Sequence, residues 1–313
     1  MTSPAALIAF ASVLALPLGA QESPIELQTP TGTVHGTLLM PAGTSGTVPV
    51  ILIIAGSGPT DRDGNSPLLA GRNNSLKYVA EALAQNGVAS VRYDKRGVAR
   101  SASAATSEAD LRFTTYVDDA AAWVSHLAGD SRFSRVMIIG HSEGSLIGIM
   151  AAQRTSVAKV MSLAGAGRSA AVVLDEQLSK NLPPALLGEA RQVLAELRAG
   201  RTVATPPPAL AALFRPSVQP YLISWLNLDP AAEAAKLRVA HVVVQGTTDL
   251  QIGVADAERI GKGTQDTRVE IIEGMNHVLK EVTDPAKQAA SYSDSTLPLH
   301  PRLLILLRDF VTK

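Results

Sequence analysis

Short apolar runs rich in branched side chains recur along the chain, separated by stretches in which apolar residues return every three or four positions. The runs fall at 48–55, 88–93, 136–139, 157–163, 239–246 and 268–272. Each is too short for a helix, which predicts strands; 48–55 is the first candidate for a central strand buried on both faces, and 136–139 also suits a buried strand. Residues 75–86, 115–127, 253–261 and 301–311 carry the helical period. Asn73 or Asn74 is the expected cap of the first of these helices and Gly87 its stop, while Asp118 and Asp119 fall in the expected first turn of the second. Strands alternating with helices predict a mostly parallel sheet covered on both faces.

Two stretches depart from this rhythm. Residues 25–28 and 33–40 alternate polar and apolar around Pro30-Thr31-Gly32, the pattern of an antiparallel hairpin. From about 168 to 237 the alternation stops. Helical segments at 171–180 and 185–199, a proline-rich linker at 205–208 and a mixed segment around 214–228 take its place. This predicts a helical cap, residues 168–237, inserted between two parts of one core, 21–167 and 238–313. Residues 5–18 are almost wholly apolar and are followed by Gly19-Ala20-Gln21-Glu22. That length suits the core of a signal peptide better than a membrane span, so residues 1–20 are expected to be removed after Ala20 and the protein exported, periplasmic or secreted. No later run is long enough to cross a bilayer, and no stable membrane insertion is expected after cleavage.

Composition narrows the chemistry. Twenty-eight basic residues balance twenty-eight acidic ones, so no field favours nucleic acid or an anionic membrane. The absence of cysteine removes disulfides, thiolate metal sites and a thiol nucleophile together. No H-E-x-x-H or comparable ligand cluster appears. The glycines at 56 and 58 lack the third glycine and acidic partner of a dinucleotide site. Neither a metal nor an organic cofactor is expected.

The informative stretch is Val136-Met137-Ile138-Ile139 followed by Gly140-His141-Ser142-Glu143-Gly144 and an apolar segment to Ala152. A G-x-S-x-G turn between strand and helix projects a serine hydroxyl above the sheet, making Ser142 a candidate nucleophile. A serine needs a base to take its proton, and the base needs a group to orient it. Of the six histidines, only His277 lies on a loop leaving the last core strand. His35, His126, His141, His241 and His300 lie in or beside strands, in a helix, in the turn itself or near a proline. Asp249 stands three residues beyond Gly246, which ends the preceding strand. Function gathers at the carboxyl ends of strands in open parallel sheets, so Ser142, Asp249 and His277 form a candidate triad. The backbone N–H of Glu143, directly after the nucleophile, is a candidate oxyanion donor. Activity through a His277 base is expected to fall on acidification.

Four spaced motifs together resemble the α/β-hydrolase superfamily over residues 24–313, and most closely bacterial esterases and serine-aminopeptidase-like hydrolases. They are Gly-Ser-Gly-Pro-Thr-Asp-Arg-Asp-Gly at 56–64, Tyr93-Asp94-Lys95-Arg96-Gly97, the Gly-His-Ser-Glu-Gly turn, and Gly274-Met275-Asn276-His277. The resemblance implies cofactor-free hydrolysis of short- to medium-chain carboxylic esters, small molecules, with a cap shaping the pocket. Ala55-Gly56-Ser57-Gly58 stands where related enzymes carry His-Gly-x, which makes the N–H of Ser57 the second oxyanion donor and that of Gly58 its alternative. Asp61, Arg62 and Asp63 are candidates either for substrate contact or for a mutually paired structural loop with Arg96 as a further partner, and 94–97 reads as a structural turn. An aminopeptidase, amidase or thioesterase would use the same triad. An aminopeptidase would also need an acidic cluster for the substrate's amine; Asp175, Glu176, Glu189 and Glu196 stand in the cap, with a spacing that fits solvated helix faces equally well. A noncatalytic binding protein on this fold would be expected to lack a triad member.

Overall fold

The structure is a computed structural model that describes residues 19–263 and 266–312. The proposed signal segment lies almost wholly outside these residues. Eight strands form one sheet in the order β1-β2-β4-β3-β5-β6-β7-β8. Strands β1 (Gln21–Thr29) and β2 (Gly32–Met40) form the antiparallel hairpin, and β2 lies antiparallel to β4 (Ala89–Tyr93). The rest, β3 (Val48–Ile54), β5 (Phe133–His141), β6 (Lys159–Leu163), β7 (Ala240–Gly246) and β8 (Thr267–Ile272), run parallel to one another and to β4. Every residue of β4 and all but Pro49 in β3 are buried, including the polar Ser90 and Arg92 of β4.

Two apolar layers follow from helices on both faces. On one side α1 (Ser75–Gln85) and α11 (Pro301–Thr312) bury Leu76, Val79, Leu83, Leu303, Leu307 and Phe310 against Ile51, Ile53 and Ile139. On the other, α2 (Phe113–Ala128), α3 (Glu143–Ala152) and α9 (Val254–Gly261) cover Val50, Leu52 and Ile138. Between β6 and β7 the chain leaves the sheet. It forms α4 (Ala170–Asn181), α5 (Pro184–Arg198), α6 (Ala211–Phe214), α7 (Gln219–Trp225) and α8 (Pro230–Ala234), which pack against the α2–α3 side. A short α10 (Gln288–Ser291) precedes the closing helix.

Two local expectations need correction. Helix α2 begins at Phe113 rather than Thr115, because the Thr115 hydroxyl reaches back to accept the Arg112 N–H at 3.2 Å and so caps the turn before it. Asp118 and Asp119 therefore lie beyond the first turn, and burial pushes the Asp119 carboxyl up, opposed by its bond to Arg96. Arg96 is thus committed to Asp119 and does not join the 61–63 loop. Arg62 pairs with Asp94 at 2.5 Å instead, and Asp63 with Arg92 at 3.0 Å. At the start of α1 the two asparagines divide the capping work. Asn74 takes the left-handed cap position, while the Asn73 side chain accepts the Ser75 N–H at 2.9 Å.

Candidate active site

Strand β5 ends at His141 and α3 begins at Glu143, leaving a single residue, Ser142, to make the turn. Its backbone sits at φ 54°, ψ −121°, a conformation that L-residues other than glycine seldom hold. Its N–H donates to Leu163 O at 2.9 Å and its carbonyl accepts from Ser145 N at 3.0 Å, so the strain is held from both neighbours. The glycines on either side are required by contact distance. A Cβ on Gly140 would stand 2.2 Å from Gly144 O, and one on Gly144 would stand 2.3 Å from Ile54 O. Strand, turn and helix close on each other only because both lack side chains. Ser142 itself is partly exposed between buried neighbours.

Ser142, Ser57 and Glu143 line one cleft of about 80 Å³. Its other walls come from Leu146 and from residues beyond β6, among them Arg168, Val173, Leu174, Trp225 and Pro230, with Gln251 and Ile252 from the loop after β7. Gly56 is packed against the elbow, its missing Cβ facing the Ser142 Cβ at 3.1 Å.

Asp249 and His277 meet beside this cleft. His277 Nδ1 donates to Asp249 Oδ2 at 2.8 Å, and both side chains are almost wholly buried. Gln245 Nε2 donates to the same oxygen at 3.0 Å. Asp249 Oδ1 accepts the N–H groups of Gln251 at 2.7 Å and Ile252 at 3.0 Å. Burial by itself would raise the Asp249 pKa. The charge and hydrogen bond of His277, with the two backbone donors, outweigh it and hold the carboxyl below the ordinary range. An ionised carboxylate on Nδ1 leaves the Nε2 of a neutral His277 free to accept a proton. His277 is joined to the elbow through His141, whose ring centre lies 4.9 Å from its own.

A second buried serine–histidine contact has no such support. Ser145 Oγ donates to Ser162 Oγ at 2.6 Å, and Ser162 Oγ meets His241 Nε2 at 2.8 Å. All three side chains lie beneath the surface, and among the described residues His241 Nδ1 has no partner. With no carboxylate on the far nitrogen and no access for substrate, this chain ties α3 to β6 and β7. Burial lowers the His241 pKa to about 4, so the ring stays neutral.

Two residues at the site were not singled out from the sequence. Lys95, read as part of a structural turn, is 1% exposed, and its ammonium donates to Glu143 Oε2 at 2.5 Å and to Gly56 O at 2.6 Å. Tyr221, on α7, donates its hydroxyl to the other Glu143 oxygen. The one signal for Lys95 was its position just past the carboxyl end of β4, a core strand. Tyr221 had none, because nothing local says which face of a short inserted helix turns inward.

The candidate amine-binding acids do not form a cluster at the cleft. Asp175 pairs with Arg191, Glu196 with Arg201, and Glu176 with Arg168 and Lys180, while Glu189 is exposed. The one acid in the cleft wall, Glu143, has both oxygens engaged. Among the described residues no group of His, Cys, Asp and Glu has the geometry of a metal site, and no helix is long and apolar enough to cross a membrane.

Comparison with known proteins places these features in a lineage. A family described as serine aminopeptidase, S33, matches residues 70–283, which include Ser142, Asp249 and His277 but not Ser57. Esterase EstD of Thermotoga maritima is 26% identical over 247 residues, 78% of this chain and 57% of that protein, so the chain spans little more than half its relative's length. Among solved structures, Est1E from Butyrivibrio proteoclasticus superposes with a TM-score of 0.58 at 16% identity, covering 93% of this chain and 97% of its own. The α/β hydrolase GrgF from Penicillium sp. sh18 gives 0.61 at 17% identity, covering 94% and 100%. At such identities the likeness is one of fold, and the fold is that of the α/β hydrolases.

Proposed function

Because the chain belongs to the serine aminopeptidase S33 family, within the α/β-hydrolase fold, we propose that the cleft at Ser142 is the active site of a carboxylesterase. The observation that carries this reading is the elbow. A serine held at positive φ borders a mainly apolar cleft, and the residue before it, His141, lies with its ring 4.9 Å from that of a histidine bonded to an ionised carboxylate. Ser142 Oγ attacks the ester carbonyl carbon while His277 Nε2 takes its proton. The tetrahedral oxyanion rests on the N–H groups of Ser57 and Glu143 and collapses, expelling the alcohol, which leaves with the proton from His277. Water, deprotonated by the same histidine, then cleaves the acyl-enzyme. Asp249 holds the histidine tautomer and stabilises the imidazolium.

One feature favours an ester over a peptide with a free amino end: no uncommitted carboxylate lines the cleft to hold an ammonium. The cleft is small, about 80 Å³, which favours short acyl groups. Residues 168–237 serve as the cap in this reading, Trp225 and Val173 closing the acyl side. We propose too that residues 1–20 direct export. The first strand begins at Gln21, just beyond the expected cleavage site, and N-terminal sequencing of the exported protein should begin there.

Hydrolysis of p-nitrophenyl esters from acetyl to palmitoyl, beside an aminoacyl p-nitroanilide, tests the assignment. Ester turnover should peak at short chains and vanish in Ser142→Ala. Turnover of the anilide alone would move the assignment to an aminopeptidase. Serine-independent ester turnover would remove Ser142 from the mechanism.

A further inference from the structure

We propose that Lys95 is the positioning residue of the oxyanion hole, one buried cation orienting both of its backbone donors; this rests on the esterase reading above. The argument begins with the peptide group between Gly56 and Ser57. In a trans peptide the C=O and N–H point in opposite directions and belong to one rigid plane. Lys95 Nζ donates to Gly56 O at 2.6 Å, so the N–H of Ser57 is turned away from the lysine, on a loop residue that borders the cleft. A free loop of this kind can rotate the peptide by changing two dihedrals. A cation fixed on the carbonyl oxygen opposes that rotation. The same contact draws electron density toward the carbonyl and makes the N–H a stronger donor.

The second donor is tied to the same ammonium from the other side. Glu143 supplies its N–H at the start of α3, where the helix dipole already favours negative charge, and its carboxylate is bonded to Lys95 at 2.5 Å. Tyr221 holds the remaining carboxylate oxygen from α7, and the Lys95 ammonium lies 5.0 Å from the centre of the Tyr116 ring. The ammonium is fixed in turn by β4, whose end also anchors the loop after β3 through Arg62 and Asp94. A buried ion pair is a poor source of net stability, since desolvation offsets most of its attraction. Its consequence here is geometric: elbow and oxyanion loop are referred to one point charge.

The test must separate this role from a merely structural one. Lys95→Met alone would strand a buried carboxylate, so the informative protein is the double variant Lys95→Met, Glu143→Gln, which removes both charges and retains the Glu143-position N–H. Three quantities are measured: kcat and KM for p-nitrophenyl acetate, the inhibition constant of phenylboronic acid, which binds serine as a tetrahedral anion, and the rate constant for labelling by a fluorophosphonate. The expected result is a kcat about 10- to 100-fold lower with KM within about threefold, a boronate constant raised by the same factor, and slower labelling. Wild-type kcat and boronate affinity, or a loss confined to KM, would overturn the proposal. If the double variant does not fold by circular dichroism, Lys95→Arg alone decides: it keeps the buried charge pair but cannot set the same point donor on both Gly56 O and Glu143 Oε2, so kcat and boronate affinity should fall about tenfold with KM little changed, and wild-type values overturn the proposal. Should the wild type label with fluorophosphonate yet hydrolyse no ester, the esterase reading fails while the labelling rates still judge Lys95. A folded wild type that neither labels nor turns over ester overturns both.

Discussion

His141 donates its Nε2 hydrogen to the main-chain carbonyl of His277 at 2.8 Å, so the residue before the elbow serine grips the backbone of the candidate base. The carbonyl can only accept, which sets the His141 tautomer: Nε2 carries the proton and Nδ1 is bare. Burial, with the neighbouring His277 ring, pushes its pKa down to about 4, and the imidazole is neutral wherever the protein is folded near neutrality.

This has a consequence for acid stability. His141 and His241 are both lowered to about 4, so between the ordinary histidine value and 4 the unfolded chain binds protons that the folded chain does not. Stability is therefore full above about pH 6.5 and is lost as pH falls toward 4, by on the order of 3 kcal/mol for each ring. Urea unfolding midpoints measured from pH 7 to 4 should fall accordingly. His241→Leu should flatten the profile without abolishing ester turnover, and a midpoint independent of pH over this range would contradict the assignment.

Asp249→Asn should leave the fold intact, since the amide oxygen can still accept from Gln251 and Ile252. It removes the ionised partner of His277 Nδ1, and kcat should drop by about 10⁴ with little change in melting temperature. Stopped-flow and steady-state assays on p-nitrophenyl acetate read this directly. A loss below about tenfold would remove Asp249 from the triad.

Gly144→Ala tests the closeness of the elbow. The added methyl would stand 2.3 Å from Ile54 O and 2.7 Å from Ala55 O, both backbone atoms that cannot step aside cheaply. Overpacking of this order costs about 3 kcal/mol or more, and the variant should melt well below the wild type or fail to accumulate. Thermal unfolding followed by circular dichroism decides it.

Trp225 closes the cleft from the end of α7 and stacks on Phe113 at 6.0 Å between ring centres. Trp225→Ala should open the acyl side and move the chain-length optimum of the ester series upward. The rate on acetyl esters should fall less than that on longer esters rises. An unchanged optimum would place the acyl group elsewhere in the cleft.

Much of the architecture was legible along the chain because it depends on local regularities. Unbroken branched runs become parallel strands wherever both faces are covered, and the helical period survives any tertiary context that buries one face. The Gly-x-Ser-x-Gly turn is legible in part for the same reason: Gly140 answers a contact with Gly144 a few residues away, whereas Gly144 answers the backbone of Ile54 and Ala55 on a distant strand. Asp249 and His277 could be picked by position, each on the loop after a core strand. Their mutual bond, and the bridge of His141 to His277 across 136 residues, required the sheet order that sets β5 near β7 and β8.

Side-chain partners were decided elsewhere. Arg96 chose Asp119, Arg62 chose Asp94, and Lys95 chose Glu143, although all three bases and many acids stood within reach of several pairings by sequence alone. Charges attract without direction, so a list of acids and bases does not determine who meets whom. The backbone must first bring β4, the loop after β3 and the start of α3 to one point. By itself, then, the sequence determined strands, helices, the elbow and the residue types able to do acyl-transfer chemistry. Only the tertiary structure decided that a lysine just past β4 bonds both the Gly56 carbonyl and the Glu143 carboxylate, because those contacts depend on the packing of three segments far apart in the chain.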